Sequence, residues 1–466
     1  MKHIFKLFIF AFLIQFSGAF HSISAAEPAG FQSTDSTLEN TFRWARDMAL
    51  SYVRGGSDPV GLWYEAALPG RESFCMRDLS HQTVGAAMLG LDQYNLNMLG
   101  KVAANISESK DWCSYWEIER LDRPTPCDYA NDKEFWYNLP ANFDVMRACF
   151  GMYEWTGDSS YLTAPVFKEF YYRTARDYAD RWALTPDSIM QRRRFMNTAQ
   201  PFNPKNGFHT CRGLPSYAEN FSGITVAIDL LGAIKSGYEA YAAMSRAVGE
   251  TDEADFAAAR AEAYGDIIES QWWDDAASRY NTYYKQDSTF HRGEGIPYML
   301  LIGALDRPER VESSLDDVLS RTWNVENLSA FPVFLYRNGR SEAADSIINM
   351  LPKTERNDYP EVSYGVIEGI FGGLMGMQPS ASRGELATCY NGTSDAVSTA
   401  TDVPMLGGTV TLTHDGHRSS TLTNNTPSTL TWRASFRTST GEIVTKTYIL
   451  APSQTVTLNR SAEGAK

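Results

Sequence analysis

The sequence predicts a mainly α protein that carries a small all-β region at its C-terminal end. From about Asn40 to Met375, apolar residues recur with the 3.6-residue period of amphipathic helices, with short breaks between the runs. After Gly376 this period ends, and short runs rich in β-branched residues alternate with turn signals. Hydrophobic residues make up 43% of the chain and charged residues 21%, so a folded core is expected and disorder is excluded.

Short turns join the predicted helices into antiparallel pairs. An apolar run ends at a glycine, and a residue that can cap the next helix soon follows, as at Gly157 and Ser159 or at Gly249 and Thr251. This pattern gives about a dozen helices in pairs. The predicted helices are 40–53, 81–89, 93–107, 143–156, 159–182, 223–248, 251–273, 296–304, 308–319, 328–338, 341–350 and 362–374.

Long irregular loops lie between the helix pairs. They are rich in Trp, Tyr, Pro and Gly, and each follows a complete pair. Loops of this length are uncommon in compact domains and are usually functional. If the pairs stack in a ring, these loops meet at one end of it. They are 63–80, 112–139, 191–222, 280–295 and 354–361.

The C-terminal region is predicted to be a small β-sandwich between about residues 386 and 458. Fifteen threonines fall between Thr401 and Arg460, and threonine is enriched in strands. Such a region could bind sugar or cover one side of the helical ring, and we favour the covering role.

The N-terminus has the pattern of an export signal. Lys2 and Lys6 give a positive start, an apolar run covers residues 4–14, and Ser24-Ala25-Ala26 places small residues before Glu27. The apolar run is too short to span a bilayer. We therefore expect a periplasmic or secreted protein without a membrane anchor. The expected divisions are a signal peptide at 1–26, a helical domain at 27–377 and a β domain at 378–466.

The formal net charge of −14 argues against a nucleic-acid partner, which would need a basic surface. A neutral ligand such as a sugar suits this balance better. Six cysteines are irregularly spaced without a Cys-x-x-Cys pair, so a metal site has little support. Cys113 and Cys127 could be bridged in an oxidising compartment, or the thiols could be buried and free. Nucleotide-binding and HExxH motifs are absent, and no cofactor is expected.

A polar cluster stands just before an early apolar helix. In it, Arg77 and Asp78 are adjacent, and Asp78 or Ser80 could cap the helix. Alternatively, the neighbouring guanidinium and carboxylate form a fork that donates to and accepts from adjacent hydroxyls of one sugar ring.

Three segments, 74–78, 153–162 and 361–372, resemble elements of the six-hairpin glycosidases. That superfamily includes glucoamylase-like, trehalase-like, rhamnosidase-like and exo-mannosidase-like enzymes, and the resemblance covers about 40–377. It implies an (α/α)6 toroid. In glucoamylase-like members an Arg-Asp pair holds the terminal sugar, so the resemblance assigns that role to Arg77 and Asp78 and implies exo action. Phe74 stands one position from the usual Trp, so the resemblance assigns no exact family.

Hydrolysis of a glycosidic bond needs two carboxyl groups, an acid and either a base or a nucleophile. In inverting members of the resembled group the acid lies near mid-barrel and the base near the last hairpin. This implies Glu219 as the acid, where Tyr217 and Phe221 could raise its pKa by desolvation, and Glu361 as the base. Either carboxylate could equally be a helix N-terminal charge.

Further residues are candidates for substrate binding because they are polar or aromatic and stand in loops or at helix starts. Tryptophans in loops can stack on sugar faces, and Trp63, Trp112, Trp116 and Trp136 are so placed. Besides Arg77 and Asp78, the predicted substrate-binding residues are His81, Trp116, Glu117, Asp144, His209 and Glu294.

The sequence therefore predicts an exported glycoside hydrolase that cleaves a terminal bond of an oligo- or polysaccharide, with inversion. Sugar epimerases and uronide lyases also use this toroid, with His or Tyr bases, and His81 and His209 would serve there. A non-catalytic glycan-binding protein is the third alternative.

Overall fold

The computed structural model describes residues 29–192, 212–218, 223–437 and 443–459. The predicted leader, 1–26, lies outside these ranges. Within them, no helix combines the length and apolar character needed to cross a lipid bilayer. The helices are α1 (Ser36–Ser51), α2 (Met76–Met88), α3 (Asp92–Ala104), α4 (Ala141–Thr156), α5 (Ser160–Thr163), α6 (Pro165–Arg173), α7 (Ala179–Arg181), α8 (Ile228–Ala247), α9 (Thr251–Gln271), α10 (Ile296–Ile302), α11 (Pro308–Leu319), α12 (Val325–Arg337), α13 (Ser341–Met350) and α14 (Pro360–Glu368).

Six of these helices close into an inner ring. Helix α2 packs against α4, α4 against α8, α8 against α10, α10 against α12 and α12 against α14, and α14 returns to α2. The outer helices pack on this ring: α1 on α14, α3 on α2, α9 on α8, α11 on α10 and α13 on α12, while α6 packs on α3. Six inner and six outer helices make the (α/α)6 toroid that the sequence predicts.

Burial distinguishes the two rings. Sixteen of the 20 residues of inner helix α8 are buried, whereas outer helix α11 buries only Ser314, Leu315 and Val318 of its 12. Inner helices also approach each other closely. A methyl group on Gly85 of α2 would overlap the carbonyl oxygen of Tyr364 on α14, so the ring closes there only around a glycine.

Two β-sheets follow the toroid and pack on one side of it. Trp155 of α4 donates from Nε1 to the carbonyl of Pro404 at 2.8 Å, which joins the ring to the larger sheet. The strand Gly30–Ser33, expected in the helical domain, is the edge strand of that sheet. The larger sheet has the order Gly30–Ser33, Val397–Met405, Gly408–Asp415, Ser419–Asn425, Thr455–Asn459. The smaller sheet has the order Gln378–Ser380, Glu385–Cys389, Leu430–Arg437, Ile443–Leu450.

Short strands stiffen the long loops that precede the inner helices. Each group brings distant parts of these loops together through backbone hydrogen bonds. The paired groups are Val53–Arg54 with Trp63–Tyr64; Ser73–Cys75 with Glu117–Glu119 and Arg123–Pro124; Tyr129–Asn131 with Glu134–Phe135; Tyr137–Asn138 with Arg212–Leu214; Ile224–Ala227 with Tyr283–Lys285 and Phe290–His291; and Trp273–Asp274 with Arg279–Tyr280.

Three expectations about local structure need correction. Helix α2 begins at Met76 rather than at residue 81, because polar Arg77 and Asp78 hide its first turn from the apolar period. The helix expected from residue 223 is preceded by a strand and begins at Ile228. The thiols of Cys113 and Cys127 are free, so these two cysteines are not bridged to each other. Cys113 is buried whereas Cys127 is exposed; Cys211 lies outside the described residues.

Candidate active site

A cavity of about 290 Å³ lies where the inner helices begin. Its volume is at the small end of the roughly 300–1,000 Å³ range of sites for small organic ligands. Residues near the N-terminal ends of α2, α8, α10, α12 and α14 line it, and the long loops complete its wall. Because the helix N-terminus carries partial positive charge, this rim favours carboxylates. The predicted residues that line the cavity are Arg77, Asp78, His81, Trp116, Glu117, Glu294 and Glu361.

One predicted residue lies behind the cavity wall, and two others fall outside the described residues. Asp144 on α4 has no exposed surface and lies behind His81, to which it is hydrogen-bonded. It therefore cannot touch a ligand directly. Glu219 and His209 lie outside the described residues, and their roles stay predictions. Tyr217 and Ala218, immediately before Glu219, do line the cavity.

His81 stands between two carboxylates from opposite neighbours in the ring. Its Nε2 is 2.9 Å from Oδ2 of Asp144, and its Nδ1 is 3.0 Å from Oε1 of Glu361. Burial on its own would lower the pKa of His81, but the two carboxylates outweigh it and raise the pKa to about 9. The imidazole is therefore protonated at neutral pH and donates to both carboxylates.

Asp144 is kept ionised by a second cation behind it. Arg147 donates to Oδ1 of Asp144 from Nη2 at 3.1 Å, one helical turn along α4. Burial alone would raise the pKa of Asp144, but His81 and Arg147 lower it to about 2. Tyr217 also donates to Oδ2 of Asp144, at 3.2 Å, so this carboxylate ties the loop before α8 to the His81 side of the cavity.

Arg77 and Asp78 form the adjacent pair that the sequence suggests. Arg77 donates from Nε to Oδ1 of Asp78 at 3.0 Å, and the hydroxyl of Tyr359 donates to Oδ2 at 2.8 Å. Cys75 is the residue that precedes α2, and no side chain caps the helix there. Asp78 is therefore not a cap. Its side chain belongs to a fork that Tyr359, from the loop before α14, holds in place.

Asp229 and Glu326 line the cavity although sequence reasoning did not select them. Asp229 accepts from the hydroxyl of Ser216 at 2.9 Å and from the backbone amides of Tyr217 at 2.8 Å and Leu230 at 3.1 Å. Burial raises the pKa of Asp229 to about 6. Both carboxylates lie in the first turn of an inner helix, and that position is the signal that could have found them.

Glu117 and Glu294 occupy other parts of the wall. Burial and nearby Asp128 raise the pKa of Glu117 to about 8, even though Arg71 is bonded to it. Burial also raises the pKa of Glu294, which is partly exposed in the cavity. The cavity thus holds carboxyl groups with different proton affinities, as acid–base catalysis requires.

One group of side chains has the ligand types for a metal ion. Ligand atoms of Glu117, Cys127 and Asp128 lie within 4.8 Å of one another. Arg71 already forms ion pairs with both carboxylates of this group. A metal ion there would have to displace the guanidinium of Arg71. These residues therefore suit an ion pair with the arginine better than a metal site.

The four loop tryptophans separate into two classes. Trp116 and Trp136 line the cavity. Trp63 has no exposed surface and donates from Nε1 to Asp58 at 2.8 Å, so it belongs to the core and cannot stack on a ligand. Trp112 lies under the guanidinium of Arg173, outside the cavity.

No protein-family model matches the chain, and no curated protein matches it in sequence. Solved structures do resemble it. A GH78 family rhamnosidase of Bacillus sp. GL1 aligns with a TM-score of 0.54 at 13% identity, over 85% of this chain and 40% of that one. An alpha-L-rhamnosidase from Dictyoglumus thermophilum aligns with a TM-score of 0.58 at 11% identity, over 92% and 50% of the two chains.

A third structure, an alpha-L-rhamnosidase from Aspergillus terreus, aligns with a TM-score of 0.53 at 11% identity, over 92% of this chain and 51% of that one. The protein therefore spans about half the length of these enzymes or less. Likeness at such low identity concerns the fold alone. The toroid and the attached sheets thus give this molecule a six-hairpin glycosidase-like fold, to which the comparisons assign no exact family.

Proposed function

We propose that the protein is an exported glycoside hydrolase that removes a terminal sugar from an oligo- or polysaccharide, with inversion and through paired carboxyl groups. One observation carries this proposal. The carboxylate of Glu361 is hydrogen-bonded to the protonated imidazole of His81. It shares a small cavity with buried carboxyl groups of raised pKa, such as that of Asp229. A base that is ionised and an acid that keeps its proton near neutral pH are what this reaction requires.

Glu361 is the proposed base. The imidazolium of His81 lies next to it, with Nδ1 3.0 Å from Oε1 of Glu361. Its position at the start of α14, in the last hairpin, agrees with where inverting members of the resembled group carry theirs. Because His81 engages Oε1, Oε2 would take the proton from the attacking water.

Glu219 is the proposed acid, and Asp229 is the competing candidate. Tyr217 and Ala218, the two residues that precede Glu219 in the sequence, line the cavity. Asp229 lines the cavity itself, and its pKa of about 6 suits an acid. Asp229 also holds the segment that precedes Glu219 in the sequence, because it accepts from the hydroxyl of Ser216 and the backbone amide of Tyr217.

Exo action is supported by the size and contents of the cavity. A cavity of about 290 Å³ suits a ligand as small as one terminal sugar. Within it, Arg77 and Asp78 present a donor and an acceptor side by side, and Trp116 contributes an aromatic ring to the wall. The neighbouring structures are named rhamnosidases, which supports a carbohydrate substrate.

The lyase and epimerase alternative fits the geometry less well. Such an enzyme needs a neutral imidazole or an ionised tyrosine to abstract a proton. His81 has a pKa of about 9 and both its nitrogens face carboxylates, so it is a poor base at neutral pH. Burial raises the pKa of Tyr217 and Tyr298 well above the ordinary value, which disfavours their ionised forms.

The test is hydrolysis of a panel of plant, algal and microbial glycans, with rhamnosides included, at pH 5 to 8. We expect release of a single monosaccharide, and proton NMR at early times should show it with the anomeric configuration opposite to that of the bond cleaved. Products with an ultraviolet-absorbing double bond would favour the lyase instead. Binding of glycans without any turnover would favour the glycan-binding protein.

Export is tested separately. The pattern at residues 1–26 supports removal of a leader before Glu27. Expression of the full-length chain in a bacterial host, followed by N-terminal sequencing of protein from the periplasm and medium, should give a chain that begins at Glu27. Retention of the intact N-terminus in the cytoplasm would contradict export.

A further inference from the structure

We propose that Arg147, Asp144 and His81 form a positioning chain that orients Glu361 as the catalytic base. This rests on the proposed function and adds to it, because sequence reasoning assigned His81 and Asp144 to substrate binding. As members of the positioning chain, His81 and Asp144 need not touch the sugar, because both act through Glu361.

The chain is a continuous series of hydrogen bonds between opposite charges. Arg147 donates to Oδ1 of Asp144 at 3.1 Å, Oδ2 of Asp144 is 2.9 Å from Nε2 of His81, and Nδ1 of His81 is 3.0 Å from Oε1 of Glu361. Charges alternate along the series from the guanidinium to the carboxylate of Glu361. A buried series of this kind is stable only if every member is charged and paired.

Burial decides which members can reach a substrate. The side chain of Asp144 has no exposed surface, whereas those of His81 and Glu361 are 12% and 9% exposed. Asp144 therefore cannot act on a bound sugar, and its effect must pass through His81. Only the doubly protonated imidazole can donate to both carboxylates, so Asp144 fixes the charge state of His81 as well as its ring orientation.

Aromatic rings and charged groups from several elements surround His81 and Glu361. The rings of Tyr217 and Tyr298 enclose His81, with centroid distances of 6.0 and 5.6 Å. Among the described residues, other ionisable groups that face His81 or Glu361 are Arg77 and Asp78 on α2, Tyr359 before α14 and Glu368 at the end of α14. Arg77 is paired with Asp78, so His81 is the cation in direct contact with Glu361.

The competing explanation is purely structural. The chain links α4, α2 and α14, so it could serve only to fasten three inner helices together. A fastening role predicts that its loss lowers stability and leaves the pH dependence of turnover unchanged. A positioning role predicts a change in that pH dependence.

The first experiment needs no substrate. Nitrogen-15 NMR of the imidazole should show His81 doubly protonated at pH 8 in the parent protein, and neutral at pH 8 in Asp144→Asn. A parent His81 that is neutral at pH 8 would overturn the proposal even if the protein hydrolyses glycans. Conversely, a charged His81 in a protein without hydrolytic activity would remove the proposed function and leave the charge state of the chain intact.

The second experiment measures kcat and KM against pH for Asp144→Asn, with Glu269→Gln as the matched control. Glu269 has a side chain that is 10% exposed and is paired with Arg310 outside the cavity, so its loss reports on stability alone. For Asp144→Asn we expect about a 10- to 100-fold loss of kcat, less than about a threefold change in KM, and a pH profile that differs from that of the parent. The Asp144→Glu variant should recover part of kcat.

Two results of that experiment would overturn the positioning role. In the first, Asp144→Asn lowers the melting temperature as Glu269→Gln does but keeps the pH profile of the parent. In the second, KM alone rises, which would return Asp144 and His81 to substrate binding.

Discussion

Two aspartates at the starts of neighbouring inner helices are buried to nearly the same degree and yet hold their protons very differently. Asp144 on α4 is 0% exposed and Asp229 on α8 is 2% exposed. The pKa of Asp144 lies near 2, because His81 and Arg147 outweigh the effect of burial. The pKa of Asp229 lies near 6, because burial is opposed only by uncharged donors such as the Ser216 hydroxyl. Charged partners, rather than burial, therefore determine which aspartate keeps its proton. We call the part of the site around Asp144 and His81 the ionised side and the part around Asp229 the proton-retaining side.

The largest effect should come from the ionised side. Glu361→Gln keeps the shape of the carboxyl group but cannot accept a proton from water, so kcat should fall about 10²- to 10⁴-fold. This loss should hold for natural glycans and for aryl glycosides with good leaving groups, since both need the attacking water. Steady-state kinetics on both substrate types measure it.

Azide supplies the control for Glu361→Gln. As an anionic nucleophile it has no proton to lose, so it should restore turnover in this variant and form a glycosyl azide of inverted configuration. A variant that cleaves both substrate types like the parent would show that Glu361 is not the base.

The proton-retaining side should respond differently to the leaving group. Loss of the acid should lower kcat about 10²-fold or more on natural linkages but spare aryl glycosides whose leaving groups need no proton. Glu219→Gln and Asp229→Asn should be compared on both substrate types. The acid is the residue whose variant shows this selective loss, and equal losses on both substrates for both variants would contradict either assignment.

The carboxylates of both sides can be found in the sequence, but their positions have another, purely structural explanation. Asp78, Asp144, Asp229, Glu326 and Glu361 all lie in the first turn of a helix, where a carboxylate is normally explained by the helix dipole. In a toroid whose inner helices begin at one rim, the same position also places the carboxylate in or beside the central cavity. The structural and functional explanations of such a residue are therefore compatible.

Other features depend on contacts between distant segments and could not be predicted from local patterns. The alternation of short turns and long loops predicted the helix pairs, and the resemblance to the six-hairpin glycosidases implied the toroid. The partners of His81, however, are 63 and 280 residues away, and nothing in the segment around it indicates them. Likewise, Trp63 and Trp116 stand in similar loops, and only the packing shows that the first is in the core.

A moderate effect is expected at the fork between the two sides. Asp78→Asn removes the charge that Arg77 and Tyr359 hold in place, and a hydrogen bond to a charged group is worth about 1.5–3 kcal/mol. We therefore expect KM to rise about 10- to 100-fold with little change of kcat. Calorimetric titration with the product monosaccharide measures the same loss directly, and an unchanged affinity would show that the fork does not hold the sugar.

The smallest effects concern stability, and here the two sides should act in different pH ranges. The pKa of Asp229 is raised from 3.8 to about 6, so its contribution is present below pH 3.8 and is lost as the pH rises through 6. The pKa of His81 is raised from 6.5 to about 9, so its contribution is present below pH 6.5 and is lost as the pH rises through 9. Each loss amounts to about 3 kcal/mol at most, at 1.36 kcal/mol per pKa unit.

Urea unfolding at a series of pH values separates these two contributions. The Asp229→Asn variant should lose the fall in the free energy of unfolding between pH 4 and 6 and keep the fall between pH 7 and 9. The His81→Asn variant should show the reverse, because only the ionised side then loses its titrating group. If either substitution flattens both ranges, the two sides of the cavity are coupled, and their protonation states cannot be assigned independently.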